Sequence, residues 1–422
     1  MRHGTILPAG ARVALAVAAI FTTALPATAQ EDWLKFPGSS YNSESSGVPD
    51  RAFIREWEAQ PPKGFATLSQ ANIAATKAAI KRYEAIVASG GWGQLPTDVK
   101  LRQGMTHQSV AILRDHLVQT GDLLEKTNSF SFDFHVEKAV KRFQASNGLP
   151  PTGIVDATTI AALNVTADQR LRQLKLNLTR IQDLVKSAPK KYVLVNIPAA
   201  QIEAIENGQV VSRHAGVVGK PDRPTPILSS AIHELNFNAV WHLPPTVIEK
   251  DLIPKGREMA RTGQSVLTKF KIDAYGGNGK KLDPEKVNWE GAAPRSLTFK
   301  QQPGPENPLG FVKINFNNSH SVYMHDTPSQ SLFGRNLRAA SSGCIRVHGI
   351  EELASWLVAE QGWNREHVLH MKQSGERKDV RLKKPVTLYF AYITAWATED
   401  GVVQFRRDLY SKDKLGIETA SY

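Results

Sequence analysis

The sequence predicts a multidomain α+β protein, with helices in the first half of the chain and a mainly β region in the second. A length of 422 residues is enough for two or three domains. Apolar residues recur at helical spacing within segment 69–186, whereas several segments after residue 191 are rich in Val, Ile, Phe and Tyr and alternate as strands do. The content of 41% hydrophobic and 22% charged residues is ordinary for a folded protein.

The first 29 residues predict a secretory signal peptide. Arg2 and Arg12 flank the start without acidic residues, an apolar run covers 13–25, and Ala27-Thr28-Ala29 supplies a small-x-small cleavage site. The alternative is an uncleaved anchor, but the apolar run is short for a membrane span. We expect a mature protein that starts near Gln30, has no transmembrane segment and is exported to the periplasm.

The basic charge favours an anionic partner without defining one. Removal of the signal peptide takes away two positive charges, so the formal net charge falls from +12 to +10. No block of five or more Lys or Arg residues occurs, and export argues against nucleic acid. Solvated surface charge explains most of these residues.

Segment 30–100 predicts a linker followed by a helical scaffold. Residues 38–49 are rich in Ser, Gly and Pro, as linkers are. A helix is expected from about Ser69 to the glycines at 90–91, and a second scaffold helix is expected within 166–190.

Segment 101–165 predicts a small three-helix module. One apolar stripe surrounds Leu113, a second ends at Asn147-Gly148, and Asp156 caps a third helix. The series FQ…GL…GxxD…T…LN resembles the type 1 peptidoglycan-binding domain, although a generic helical spacer is the alternative. The matching residues are Phe143, Gln144, Gly148, Leu149, Gly153, Asp156, Thr158, Leu163 and Asn164.

Segment 191–375 predicts the main β domain, and 376–422 predicts C-terminal strands. Strands are expected at 192–197, 210–218, 227–237, 311–316 and 321–325, with a closing pair at 386–396 and 401–405. A polar, Gly-rich insertion of about 249–308 interrupts them. An insertion of that length is typical of a lid or a binding subdomain.

Cys344 is the only cysteine. It cannot form an intramolecular disulfide or belong to a multi-cysteine metal site, so in an oxidising compartment it is either buried and inert or kept for its reactivity. No HExxH sequence or zinc-ligand spacing occurs among the histidines, so no metal is expected.

Residues near Cys344 provide the groups that acyl transfer requires. His325 lies nineteen positions upstream and is a candidate base, and Arg346 favours the thiolate. Gly343, next to Ser342, permits a tight turn in which backbone N–H groups hold an oxyanion. A structural Cys beside a structural His is the alternative from these residues alone.

Both halves of this pattern resemble the L,D-transpeptidase catalytic domain (the YkuD family), in particular the large Gram-negative subgroup with a helical scaffold and a capping insertion. His325-Asp326-Thr327 matches the first half of the signature, and Ser342-Gly343-Cys344-Ile345-Arg346 matches the second. Many members carry His two residues before the Cys, whereas Ser342 stands here, which assigns the base role to His325.

The resemblance implies a YkuD-like β fold and a cysteine-nucleophile transpeptidase that needs no cofactor. Cys344 would cleave a peptidoglycan tetrapeptide stem after diaminopimelate, release D-Ala and join the thioester to a second diaminopimelate. Transfer to an outer-membrane protein or a D-amino acid, and a non-catalytic wall-binding role, are the alternatives. Arg346 would neutralise a stem carboxylate or brace the loop. Tyr323 and Trp241 would line the substrate groove, although Trp241 also fits a buried core position.

Overall fold

The computed structural model describes residues 65–415. The predicted signal peptide, its cleavage site and the linker at 38–49 lie outside this range. Within it, no helix combines the length and the apolar character needed to cross a bilayer.

The helices are concentrated in the first third of the described chain, as predicted. Five precede the first strand: α1 (Gln70–Ala88), α2 (Ser109–Thr120), α3 (Phe134–Ser146), α4 (Ala157–Leu163) and α5 (Ala167–Val185). Five more are α6 (Pro245–Val247), α7 (Ile253–Ala260), α8 (Val266–Lys269), α9 (Ile350–Val358) and α10 (Arg365–Ser374), and a π-helix (Ile248–Leu252) joins α6 to α7.

The ends of the first helices follow local sequence signals. The Ser69 side chain accepts a hydrogen bond from Asn72 N–H and so caps α1, and Asp156 caps α4 in the same way through Thr159 N–H. Helices α2 to α4 form the predicted module around their own apolar core. Gln144 organises its turn, because its amide donates to the Ile154 carbonyl at 2.9 Å and accepts from Gly153 N–H at 2.8 Å.

A nine-stranded mixed sheet dominates the second half. Nine strands form this sheet, and β5, β6, β7, β13 and β14 lie outside it. The strands are β1 (Lys191–Asn196), β2 (Gln201–Glu206), β3 (Gln209–Gly219), β4 (Leu228–Phe237), β5 (Trp241–His242), β6 (Ile272–Tyr275), β7 (Thr298–Gln301), β8 (Val312–Phe316), β9 (Met324–His325), β10 (Ala339–Ser341), β11 (Ile345–Val347), β12 (Lys378–Ala391), β13 (Ala395–Ala397) and β14 (Val403–Phe405). The order is β10-β3-β11-β9-β8-β4-β12-β1-β2, and a further β2–β3 pairing closes the sheet on itself.

The two faces of this sheet have different cover. One face supplies Val193 and Leu388 to the largest core, which α9 and α10 complete. The other face supplies Tyr192 and Tyr389 to a core shared with α1 and α5. The helical scaffold therefore packs directly on the β domain.

Two details of the predicted strands are wrong. Strand β2 was not expected, because Gln201 and the glutamates of this segment weaken its β signal, yet it pairs with both β1 and β3. The predicted strand at 386–396 lies mostly in β12, inside the main sheet between β4 and β1, although β12 follows the predicted end of that domain at residue 375. The closing pair is instead β13 with β14.

The insertion lies between β4 and β8 and starts earlier than predicted. It has its own three-stranded sheet in the order β5-β7-β6, together with helices α6 to α8. Trp289 stacks on Phe299 with ring centroids 5.9 Å apart, and Gly256 leaves room for the Trp289 ring. The insertion is therefore a packed subdomain rather than a plain loop.

Replacement of Gly219 by Ala tests the tight turn after β3. A Cβ at this position would lie 2.2 Å from the Arg223 carbonyl oxygen, so Gly219→Ala should lower the free energy of unfolding by about 1–3 kcal/mol. Gly334→Ala is the matched control, because nothing lies within 4 Å of its Cβ, and it should change stability by less than about 0.5 kcal/mol. Denaturant unfolding measures both, and equal stabilities would contradict the steric argument.

Candidate active site

The loop that carries Cys344 is held by hydrogen bonds within the loop and by one from Thr225. It joins β10 to β11 and turns at Gly343, whose φ of +112° favours glycine. Ser341 Oγ donates to the Cys344 carbonyl at 2.5 Å and accepts from Gly343 N–H at 3.1 Å. Thr225 Oγ1 donates to the Gly343 carbonyl at 2.9 Å. The Gly343 N–H, expected as an oxyanion donor, is therefore already bonded within the loop.

Parallel pairing of β9 and β11 brings His325 and Cys344 together. Arg346 is the register partner of His325, and Ile345 N–H donates to the Tyr323 carbonyl at 3.0 Å. Tyr323 precedes β9 and Cys344 precedes β11, so both lie at the same end of this strand pair. Tyr323 connects the two side chains, because its ring centroid lies 5.5 Å from that of His325 and its hydroxyl is a hydrogen-bond partner of Cys344.

His325 is oriented by a backbone carbonyl. Its Nδ1 lies 2.5 Å from the Asp326 carbonyl oxygen, and because a carbonyl only accepts, Nδ1 carries the proton. Nε2 then holds the lone pair that a base requires. The Asp326 carboxylate lies elsewhere and accepts from Phe311 N–H at 3.1 Å.

Burial keeps both reactive groups neutral. Burial, together with the positive charge of Arg346, lowers the pKa of His325 to about 3. Burial raises the pKa of the Cys344 thiol above its ordinary value, although Tyr323, Lys313 and Arg346 act in the opposite direction. At neutral pH the resting pair is therefore a thiol and a neutral imidazole.

Tyr323 and Trp241 support the sulfur from one side. Trp241 lies on β5 of the insertion, is 6% exposed, and donates its indole N–H to the Tyr323 hydroxyl at 2.9 Å. The Tyr323 hydroxyl and backbone N–H are hydrogen-bond partners that lower the pKa of the Cys344 thiol. Trp241 therefore contacts Tyr323. It neither lines an open groove nor lies in the core of the main sheet, which were the two expected positions.

Arg346 is buried beside His325 in the sheet. Its side chain is 3% exposed, between its register partners His325 on β9 and Val217 on β3. This burial is unsuited to the expected contact with a substrate carboxylate and favours the alternative of a brace. Lys313 on β8, which sequence reasoning missed, is half-buried on the same face opposite His325. Only the register of β8 with β9 shows that Lys313 lies beside His325, and this register cannot be read from the sequence.

Ser342 connects the nucleophile loop to the insertion. Its Oγ accepts a hydrogen bond from Arg223 Nη1 at 2.9 Å. The same guanidinium donates to both carboxylate oxygens of Asp251, at 2.7 and 2.9 Å, and Asp251 lies fully buried in the π-helix of the insertion. Arg223 therefore fixes the loop and the insertion relative to each other.

Other polar sites are less informative. A cavity of about 750 Å³ lies between the helical module and the β domain, away from Cys344. Six arginines and five carboxylates line it, so its charge does not select a ligand class. Among residues 65–415, no three His, Cys, Asp or Glu side chains are grouped to hold a metal ion.

Sequence comparison assigns the domain that contains this site. The L,D-transpeptidase catalytic domain (YkuD) matches residues 190–382, which include both His325 and Cys344. Residues 190–382 are an L,D-transpeptidase catalytic domain. Residues 106–163 match the family described as "Putative peptidoglycan binding domain", in agreement with the helical module.

Individual relatives share low sequence identity with this chain. A "Putative L,D-transpeptidase" of Haemophilus influenzae is 30% identical over 224 residues, which are 53% of this chain and 44% of that relative. The match thus spans less than half of the relative's length. An L,D-transpeptidase structure from Stackebrandtia nassauensis is 13% identical, with 71% of this chain and 97% of that chain covered and a TM-score of 0.25. One from Mycobacterium smegmatis is 15% identical, with 47% and 58% covered and a TM-score of 0.22. Scores this low add nothing to the domain assignment.

Titration of Cys344 tests the electrostatics of the L,D-transpeptidase site. The rate of iodoacetamide alkylation should rise with pH to a midpoint above the value of about 8.5 for a free thiol. Tyr323→Phe removes a hydroxyl that lowers the thiol pKa, so it should shift this midpoint further upward. Because Cys344 is the only thiol, mass spectrometry follows the reaction directly. A wild-type midpoint below pH 7 would contradict the neutral resting pair.

A double-mutant cycle tests the bridge from the insertion to the loop. Arg223→Lys keeps a charge beside Asp251 but loses the planar fork, and Ser342→Ala removes the acceptor. Each should slow acylation of Cys344 by about 2- to 10-fold, the value of one hydrogen bond.

The two changes should not be additive, because they remove the same contact. Arg257→Lys is the control: its Nε donates to the Trp289 carbonyl inside the insertion, and it should acylate at the wild-type rate. Additive losses in the Arg223/Ser342 double variant would show that the two residues act independently.

Proposed function

We propose that this chain is an exported cysteine L,D-transpeptidase that acts on peptidoglycan. The observation that carries the proposal is that the paired strands β9 and β11 bring His325 and Cys344 to the two sides of Tyr323, within an L,D-transpeptidase catalytic domain. The module at 106–163 supports the same substrate, since it matches a peptidoglycan-binding family. Both domains suit a protein of the periplasm, where the predicted signal peptide would direct it.

Acylation starts from the neutral pair. The sulfur of Cys344 attacks the carbonyl between the L-centre of diaminopimelate and the terminal D-Ala, and the thiol proton passes to Nε2 of His325 as the S–C bond forms. The carbonyl oxygen becomes an oxyanion. The Cys344 N–H is the proposed donor to it, since the Gly343 N–H is bonded to Ser341 Oγ.

Collapse of this intermediate breaks the C–N bond. His325 returns its proton to the departing amine of D-Ala, and the stem remains on Cys344 as a thioester. The side-chain amine of a second diaminopimelate then attacks the thioester and loses a proton to His325. The product is a direct diaminopimelate–diaminopimelate cross-link, and the thiol is regenerated.

The surrounding residues favour acyl transfer over hydrolysis. Arg346 braces the strands beneath the pair, while Tyr323 and Trp241 cover the sulfur from the insertion side. The insertion, fixed to the loop through Arg223, restricts access of water to the thioester. The same thioester also serves transfer to an outer-membrane protein or exchange of D-amino acids, and the acceptor decides between these reactions.

Mass spectrometry with a defined disaccharide-tetrapeptide tests the proposal. The wild-type protein should gain the mass of the tripeptide acyl group on Cys344 and release D-Ala, and it should yield dimers linked between two diaminopimelates. Cys344→Ala should give neither adduct nor dimer and should bind isolated sacculi as the wild type does. Dimers formed by Cys344→Ala would exclude the mechanism. An adduct without dimers would favour a different acceptor.

A further inference from the structure

Lys313 is a charged group of the site to which the mechanism above assigns no role. It lies on β8 directly opposite His325, so it shares the face of the sheet that holds His325. Its ammonium stands 4.5 Å from the centre of the Tyr323 ring, which turns the cation toward the sulfur. The side chain is half-buried, and the ammonium is close enough to Cys344 for the two charges to interact.

The ammonium has no anion of its own. No carboxylate of residues 65–415 forms an ion pair with Lys313. The nearest acidic side chains, Glu234 and Asp379, both accept from the Asn236 amide, at 2.8 and 2.7 Å. A partly buried charge without a partner is unfavourable, so a bound anion would stabilise this arrangement.

The surroundings of Lys313 are basic as well. His242 on β5 is in register with Lys300 on β7, and the charges of Lys300, Lys313 and Arg377 all act on the His242 imidazole. His242 and Arg377 are exposed. Desolvation and these charges lower the pKa of His242, so the positive groups at the rim next to Lys313 are Lys300 and Arg377, and they favour an anionic part of a substrate.

Strand order decides which part of a substrate lies there. Cys344 is next to β11, His325 is on β9 and Lys313 is on β8, and these are consecutive strands about 4.8 Å apart. An acyl group bound to the sulfur places its leaving amine above His325, which must protonate it. Atoms beyond that amine then lie above β8.

We propose that Lys313 binds the terminal carboxylate of the amino acid that leaves. The proposal rests on the proposed L,D-transpeptidase reaction and assigns it a specificity-determining residue. In a tetrapeptide stem, a single Cα atom separates the departing nitrogen from this carboxylate. The carboxylate therefore reaches Lys313 when the nitrogen is above His325. In a pentapeptide the same position holds a neutral amide. Lys313 therefore selects donors whose scissile bond precedes the last residue.

The test compares a tetrapeptide donor with the same peptide ending in a carboxamide. Wild-type protein should acylate Cys344 at least about 10-fold faster with the carboxylate, the range for one charge-assisted hydrogen bond. Lys313→Met should remove this preference, so that kcat/KM for the two donors differs by less than about 2-fold; a loss of rate common to both donors reports the effect of Lys313 on the thiol. Lys313→Arg keeps the charge and should retain most of the preference.

Lys191→Met is the matched control, because Lys191 is also a lysine of this sheet over an aromatic ring, 4.7 Å from Trp356, but far from the site in strand order. It should keep the full preference. Equal losses with both donors in Lys313→Met would show that Lys313 acts through the thiol, and would overturn the proposal, as would an unchanged preference. Absence of any Cys344 adduct in the wild type would instead reject the proposed reaction itself.

Discussion

The parallel pairing of β9 with β11 is the contact on which the site depends. These strands are two and three residues long, yet their register brings together an imidazole and a thiol that are nineteen residues apart. Neither strand is stable alone, since each relies on neighbours within the closed sheet and on the apolar core beneath it. The stability of the whole β domain is therefore required to keep His325 and Cys344 together.

Burial has opposite consequences for stability and for chemistry in this site. It lowers the pKa of His325 to about 3 and raises that of the thiol, so the resting enzyme holds no charge on either group. A neutral thiol resists adventitious oxidation better than a thiolate, which suits a lone cysteine in the oxidising compartment that the predicted signal peptide implies. In the proposed mechanism, the basic groups around the pair stabilise negative charge only when it develops during attack.

Local sequence patterns predicted most of the helical region and the composition of the reactive loop. Ser69 and Asp156 cap helices where expected, because a cap requires only residues close in sequence. The neighbourhood of Cys344 was recognised from a short motif for the same reason. The failures are at positions where strand pairing or a loop hydrogen bond prevails over a weak or misleading local pattern. Strand β2 is stabilised by two neighbours, and Gly343 N–H is bonded by a side chain two residues away.

The sequence by itself determined the mixed architecture and the domain that carries the site, and it supplied the proposed nucleophile and base. These follow from periodicity and from residues close together along the chain. Only the tertiary structure decided that Arg346 is buried, that Arg223 joins the loop to the insertion, and that Lys313 lies opposite His325. The reason is physical: strand register and the packing of the insertion set these contacts, and both depend on partners remote in sequence.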